Sequence, residues 1–340
     1  CHYCHRDTMI TVTQVYIVLS VLLLACIVYI TLNIIRFITI DSRSPVGQII
    51  LQDHQKFSTS NNFSIVEKES VHLSIIIPAY NEEKRVQVML LATFHYIQKR
   101  SCDPRFTYEI ILVDDGSVDN TVQVVLQFAA QHPQLQLFVL QLPQNLGKGG
   151  AVQQGVFHAS GKYILYVDAD NASDINSVDV LENYLIQHHY DICIGSRHHL
   201  LKKNMRTGIR ALLTKALHTV ISTLLLDTIS DTQCGLKIFT RQSALHCFGN
   251  QRLHGWIFDL ELLYLATVLR YRIKETDILW ADVKGTKVNI LLTPLSILRD
   301  IFIIFLLYRT KFWQIFSIDD IRQRLYFNIV TSPTAITLAS

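Results

Sequence analysis

Five short β-rich runs, Leu73–Ile77, Tyr108–Val113, Leu135–Leu140, Tyr163–Val167 and Ile192–Ile194, alternate with stretches of helical period. That alternation predicts an α/β fold, a mainly parallel sheet with helices on both faces, because parallel neighbours need right-handed crossover connections. Such a sheet gathers the loops at the carboxyl ends of its strands into one crevice, where ligands bind. The clearest run, Tyr163–Val167, ends abruptly in Asp168-Ala169-Asp170. Two carboxylates one residue apart repel and resist desolvation, so they need a nearby Lys or Arg or a divalent metal. No basic residue follows within the next turn.

The other strand ends carry polar loops too. The first run meets Pro78-Ala79-Tyr80-Asn81-Glu82-Glu83, where Pro78 is expected to stop the strand and leave an aromatic at the rim. The second ends in Asp114-Asp115-Gly116-Ser117, with Asp119 an N-cap candidate for a helix from Asn120. After the third comes Asn145-Leu146-Gly147-Lys148-Gly149-Gly150, a turn with one cation opening a helix, whose backbone N–H groups are expected to approach phosphate. It lacks the Walker spacing, which excludes an ordinary P-loop. Each loop has a purely structural reading as a strand-ending Pro, an Asx-turn or a helix-start glycine cluster. Their coincidence at one sheet edge favours a ligand site.

In that order, PAYNEE, VDDGS, GKGGA and DAD resemble the family-two inverting glycosyltransferases, over roughly residues 70–290. AYNEEKR, FTYE, IGSR, DTQCGLKIFTR and FDLELLYLA extend the match. The resemblance implies a Rossmann-like nucleotide-sugar domain of GT-A type, with Mg²⁺ or Mn²⁺ held at the acidic triplet. It also implies UDP-glucose as donor and dolichyl phosphate as acceptor, with GDP-mannose the alternative donor and a catalytically silent membrane scaffold the rival class. Carried over by position, it puts Pro78, Tyr80, Glu82, Val113 and Asp115 around the base and ribose. Asp168, Ala169 and Asp170 fall at the ribose and metal, and Lys148 and Lys287 at the diphosphate. Arg197 and Arg210 would meet the acceptor phosphate, with Lys202, Lys203 and Arg206 as alternates. Asp259, with Glu261 on the same helix, falls at an acidic position near the acceptor; a helix-start charge on a solvated face is its structural alternative. The related mannosyltransferases carry an Arg upstream of the lysine matched by Lys287, and this sequence does not.

A net charge of +3, without a basic stripe, excludes nucleic acid as a partner and leaves the lipid bilayer. Val15–Ile35 carries no charge for about twenty residues, the length of a membrane span, and runs into Arg36 without a cleavage site. It reads as an uncleaved signal anchor of a single-pass protein in the endoplasmic reticulum membrane; Met9, just ahead of it, is a candidate start. Arg36 and Arg43 follow the span and Arg6 precedes it, which turns the catalytic part toward the cytosol. The expected organisation is a tail and anchor over 1–36, a polar linker over 37–70, the catalytic domain over 71–288 and a membrane-interfacial tail over 289–340. An amphipathic helix over 209–224 is expected in the core or at the lipid interface. In the tail, Ile290–Trp313 is interrupted by Pro294 and Arg299-Asp300, so it reads as an interfacial or re-entrant helix rather than a second full span, with Tyr308 and Trp313 at headgroup level. Cys1-His2-Tyr3-Cys4-His5 fits a haem-attachment pattern, with nothing downstream resembling an electron carrier. The remaining cysteines are scattered singly and imply no disulfide framework.

Overall fold

The structure, a computed structural model, describes residues 48–50, 64–197, 229–281 and 293–330. The chain divides into two compact units at Arg43/Ser44, and every described residue belongs to the second. The expected membrane span, the 209–224 helix, Arg206, Arg210, Lys202, Lys203 and Lys287 lie outside the described residues. Among the described residues no helix is long and apolar enough to cross a membrane.

The strands are β1 (Gln48–Ile50), β2 (Val71–Ala79), β3 (Tyr108–Asp114), β4 (Leu137–Gln141), β5 (Gly161–Val167), β6 (Ile192–Ser196), β7 (Leu236–Thr240) and β8 (Ile273–Asp277). They form one sheet in the order β1-β4-β3-β2-β5-β7-β6-β8. Strands β2, β3, β4, β5, β6 and β8 share one direction, while β1 and β7 run against it. The sheet is therefore mixed. An antiparallel strand inserted between β5 and β6 begins at the edge where its neighbours end, so the residues just before β7 lie among the loops that follow β5 and β6.

The helices are α1 (Val86–Arg100), α2 (Thr121–Gln131), α3 (Lys148–His158), α4 (Val178–His188), α5 (Arg241–Asn250), α6 (Phe258–Val268), α7 (Thr293–Arg309) and α8 (Ile318–Val330). Alternation along the strands sends Leu73, Ile75 and Ile77 to one face, in a core shared with Met89, Phe94, Val125, Phe128, Leu181 and Leu185 of α1, α2 and α4. The opposite face carries Ile76 and Val113 under α3. A Cβ on Gly155 of that helix would come 2.5 Å from Ile76 Cγ2 and 2.9 Å from Val113 Cγ2, so α3 lies directly on the strands.

Several expectations are corrected. Pro78 lies inside β2, paired with Val113, rather than ending it; pairing with β5 stops at Ile76, so a residue without an N–H is tolerated there. The linker over 37–70 contributes β1, which pairs with β4, and a 3₁₀ turn, Ser64–Val66, whose carbonyls at Ser64 and nearby Glu67 accept from Arg241. Helices α7 and α8 pack on the same unit. Tyr308 and Trp313 are buried, not at a surface, with the Tyr308 hydroxyl donating to Glu261 Oε1 at 2.7 Å. Phe316 N donates to Asn250 Oδ1, and Ile321 of α8 sits against Gly249.

Candidate active site

The carboxyl ends of β2, β3, β5 and β6 deliver the site. After β2, Tyr80 stands at the rim, 40% exposed, and Glu82 forms a bidentate pair with Arg85. Hydrogen bonding to Glu82 raises the Arg85 pKa, and the charges of Asp170 and Asp168 add to it, so a cation that the sequence did not single out feels the acidic triplet. After β3, Asp115 is buried and accepts from the amides of Leu146 at 2.7 Å and Gly147 at 3.0 Å. Burial pushes its carboxyl up to about 6 against the pull of those amides. Val113 is wholly buried, with its side chain against α3.

Asp115 and His254 account for the glycine turn. Gly147 has φ +89, and a Cβ there would meet the His254 carbonyl oxygen at 2.6 Å. That carbonyl accepts from Gly149 N at 2.7 Å and Gly150 N at 3.3 Å. The amides expected to approach a phosphate are thus bound within the protein, and the turn's contribution to the site is the Lys148 side chain. Its Nζ lies 2.6 Å from Asp168 Oδ1, with the rings of Trp256 and Phe258 5.9 and 6.0 Å away. Burial lowers the Lys148 pKa, but the negative charges of Asp168, Asp259 and Asp170 outweigh it and the net shift is upward. The sequence offered no cation near the triplet in the chain; the fold brings one from α3.

Asp170 closes the triplet. Its Oδ1 accepts from Ala172 N at 3.0 Å across a turn in which Asn171 takes φ 58. No described residue bonds Asp170 Oδ2. Among the described residues no group of three or more His, Cys, Asp or Glu would hold a metal by protein ligands alone. Two carboxylates separated by Ala169 do fit a hard cation that takes its remaining oxygens from phosphates and water, as Mg²⁺ does.

Segment 231–237 supplies partners for Arg197, Asp168 and Asp259. Asp231 accepts from Arg197 N at 2.9 Å, from Nε at 2.8 Å and from Nη2 at 2.8 Å. Burial alone would raise the Asp231 carboxyl; the Arg197 guanidinium and amide outweigh it and hold it below its ordinary value. Gly235 lies against Asp168, whose amide donates to the Gly235 carbonyl at 3.1 Å, and a Cβ at 235 would collide with the Asp168 carboxylate. Lys237, wholly buried in β7, donates to Asp259 Oδ1 at 2.7 Å and to Cys234 O at 2.6 Å. The Tyr166 hydroxyl donates to the same Asp259 oxygen. Asp259 is therefore enclosed, not on a solvated face. Glu261, also wholly buried, accepts from the amides of Arg252 and Leu253 and from Tyr308.

Residues 74–247 match the profile of Glycosyl transferase family 2. The chain belongs to glycosyl transferase family 2. Similar family-2 proteins include the dolichyl-phosphate beta-glucosyltransferase of Mus musculus, 36% identical over 86% of this chain and 94% of that one. The Dictyostelium discoideum protein of the same name is 36% identical over 78% of this chain and 83% of its own. That of Saccharomyces cerevisiae is 35% identical over 71% and 76%. Among solved structures, one of glucosyl-3-phosphoglycerate synthase from Mycobacterium tuberculosis, in complex with Mn²⁺, uridine-diphosphate-glucose and phosphoglyceric acid, aligns with a TM-score of 0.50. It is 18% identical and covers 75% of this chain and 85% of that one. At that identity it speaks for the fold, the α/β GT-A arrangement of a family-2 glycosyltransferase.

The structure brings Lys148, Asp168, Ala169, Asp170 and Arg197 to one edge, with Tyr80 at its rim. Sequence reasoning missed Arg85, Asp231, Gly235 and Lys237 as site residues. DTQCGLKIFTR was legible as a motif, but the one cue to its role was a lysine in the middle of an apolar run, where a charge needs a partner.

Proposed function

We propose that this chain transfers glucose from UDP-glucose to dolichyl phosphate with inversion, giving dolichyl β-D-glucosyl phosphate, the lipid-linked glucose donor for protein N-glycosylation. The observation that carries the reading is the 35–36% identity, over 71–86% of the chain, to dolichyl-phosphate beta-glucosyltransferases of three organisms. The setting is the endoplasmic reticulum membrane, with residues 15–35 as the anchor and the catalytic unit in the cytosol.

On the donor side, Pro78, Tyr80, Glu82, Val113 and Asp115 belong to the two strand ends that would flank the nucleoside. Lys148 stands beside Asp168 with its charge directed at the position of a diphosphate, and Lys287 would add a second cation there. Asp168 and Asp170 would hold Mg²⁺ or Mn²⁺. When bound, such an ion cancels negative charge on the departing diphosphate. On the acceptor side, Asp231 engages Nε and Nη2 of Arg197, no described residue bonds Nη1, and that nitrogen would meet a phosphate oxygen with Arg210 as second contact. The acceptor is an anion before it arrives, so it needs alignment and charge cancellation rather than proton removal. Asp259 matches that requirement, because its Oδ1 is occupied by Lys237 and Tyr166.

The test is to incubate membranes containing the chain and dolichyl phosphate with labelled UDP-glucose or labelled GDP-mannose, then extract lipid. Label is expected in the lipid from UDP-glucose alone. Label from GDP-mannose alone would replace the donor assignment, and none from either would favour a silent scaffold.

A further inference from the structure

Behind the pair Lys148–Asp168 lies a second ion pair, Lys237–Asp259, that no step above uses. The outer pair has side chains 15% and 31% exposed; the inner pair is at 0% and 3%. An ion pair buried so deeply gains little over well-packed apolar side chains, so its presence asks for a reason other than stability. Tyr166, Cys234 and Asp259, which Lys237 touches, each stand close to a site group. Its cross-strand partner Tyr166 precedes Asp168 by two residues, and its ammonium lies 5.4 Å from that ring. Cys234, whose carbonyl it binds, precedes the Gly235 that abuts Asp168. Asp259 follows Phe258, whose ring lies beside Lys148 and whose Cβ is packed on Gly149. Oδ1 of Asp259 takes both Lys237 and Tyr166, no described residue bonds its Oδ2, and its charge acts on Lys148. Charges thus alternate inward from the sheet edge: Asp168, Lys148, Asp259, Lys237.

We propose that Lys237 is a positioning residue for donor binding: it fixes Asp259 and the adjoining Phe258 that packs beside Lys148, so that the charges of Asp259 and Asp168 together hold Lys148 at the sheet edge where a diphosphate would meet it. The proposal rests on the reading that the donor is a nucleoside diphosphate sugar bound at Lys148 and Asp168–Asp170. It gives Asp259 an inward structural partner and an outward electrostatic task, neither of which involves a proton from the acceptor.

Lys237→Met alone leaves Asp259 buried without its cation and is expected to fold poorly. Lys237→Met/Asp259→Asn removes both charges and keeps an acceptor for Tyr166. In purified full-length protein the double variant is expected to unfold near the wild-type temperature while UDP binding by calorimetry in Mg²⁺ weakens roughly tenfold. KM for UDP-glucose should rise in step, and KM for dolichyl phosphate should change by less than about threefold. A folded double variant with wild-type UDP affinity overturns the proposal. So does a double variant that fails to fold, which would make the pair a folding element. If the wild type binds UDP but moves no glucose to dolichyl phosphate, weakened UDP binding in the double variant keeps the positioning role while the substrate reading falls.

Discussion

Asp168 is held from three directions: Lys148 on its carboxylate, the Gly235 carbonyl on its amide, and the bare α-carbon of Gly235 against its oxygens. A methyl group at 235 has nowhere to go except into that carboxylate. Gly235→Ala is therefore expected to displace Asp168 and lower transfer on the order of 100-fold, the scale of an ångström-sized misplacement, with a small change in thermal unfolding. Full activity in Gly235→Ala would show that the Asp168 position is not critical. Asp170→Asn tests the neighbouring acid at nearly constant volume. Its Oδ1 still accepts from Ala172 N, so the turn survives, and the expectation is a folded protein without transfer whose thermal shift with UDP no longer responds to Mg²⁺. Asp168, Asp170, Lys148 and Arg197 were legible in the sequence because each is a charge placed just past an apolar run or at a helix start. Arg85, Asp231 and Lys237 were not, because each acquires its meaning from an opposite charge on another element, the acidic triplet for Arg85, Arg197 for Asp231 and Asp259 for Lys237, and spacing along the chain does not carry that information.

Among the elements, β2 to β6 were legible because each buries both faces and so reads as a continuous apolar run. β7 was missed because Lys237 interrupts its pattern, and β8 because Ile273–Asp277 is a half-buried edge strand with one apolar residue. Tyr308 and Trp313 illustrate the opposite error, since aromatic residues beside an apolar helix suit a bilayer interface and a packed core equally well. In the fold Tyr308 of α7 reaches Glu261 of α6. Burial raises the Glu261 carboxyl from its ordinary 4.5 to about 7, against the amides of Leu253 and Arg252 and the Tyr308 hydroxyl. The folded chain therefore binds this proton more tightly than the unfolded one. The stability it contributes is complete below about pH 4.5 and is lost as pH rises through about 7, a change of roughly 3 kcal/mol. Glu261→Gln cannot lose that proton, so its unfolding temperature should gain on the wild type between about pH 5 and 8. Parallel unfolding curves across that range would show that the α6–α7 junction does not titrate.

For the whole molecule, the proposed anchor over 15–35 and the charges around it predict that protease added to sealed microsomes digests the chain beyond Arg36; complete protection would place the catalytic unit in the lumen. Strands β1 to β5 form one contiguous block, and the turn at its carboxyl edge is braced by Asp115 and His254. Beyond it, the chain leaves the edge at Arg197 and returns to the same edge at Asp231, and these two residues grip each other through three hydrogen bonds. Whatever residues 198–228 do, they do it from a buttoned collar, because entry and exit are fastened together independently of what lies between. Chain closed at its base is thermodynamically tolerant of changes in length, the closure cost growing only with the logarithm of the number of residues. Under the proposed function, a family-2 enzyme could take up a new acceptor by replacing the residues between these two fastenings while every strand keeps its register.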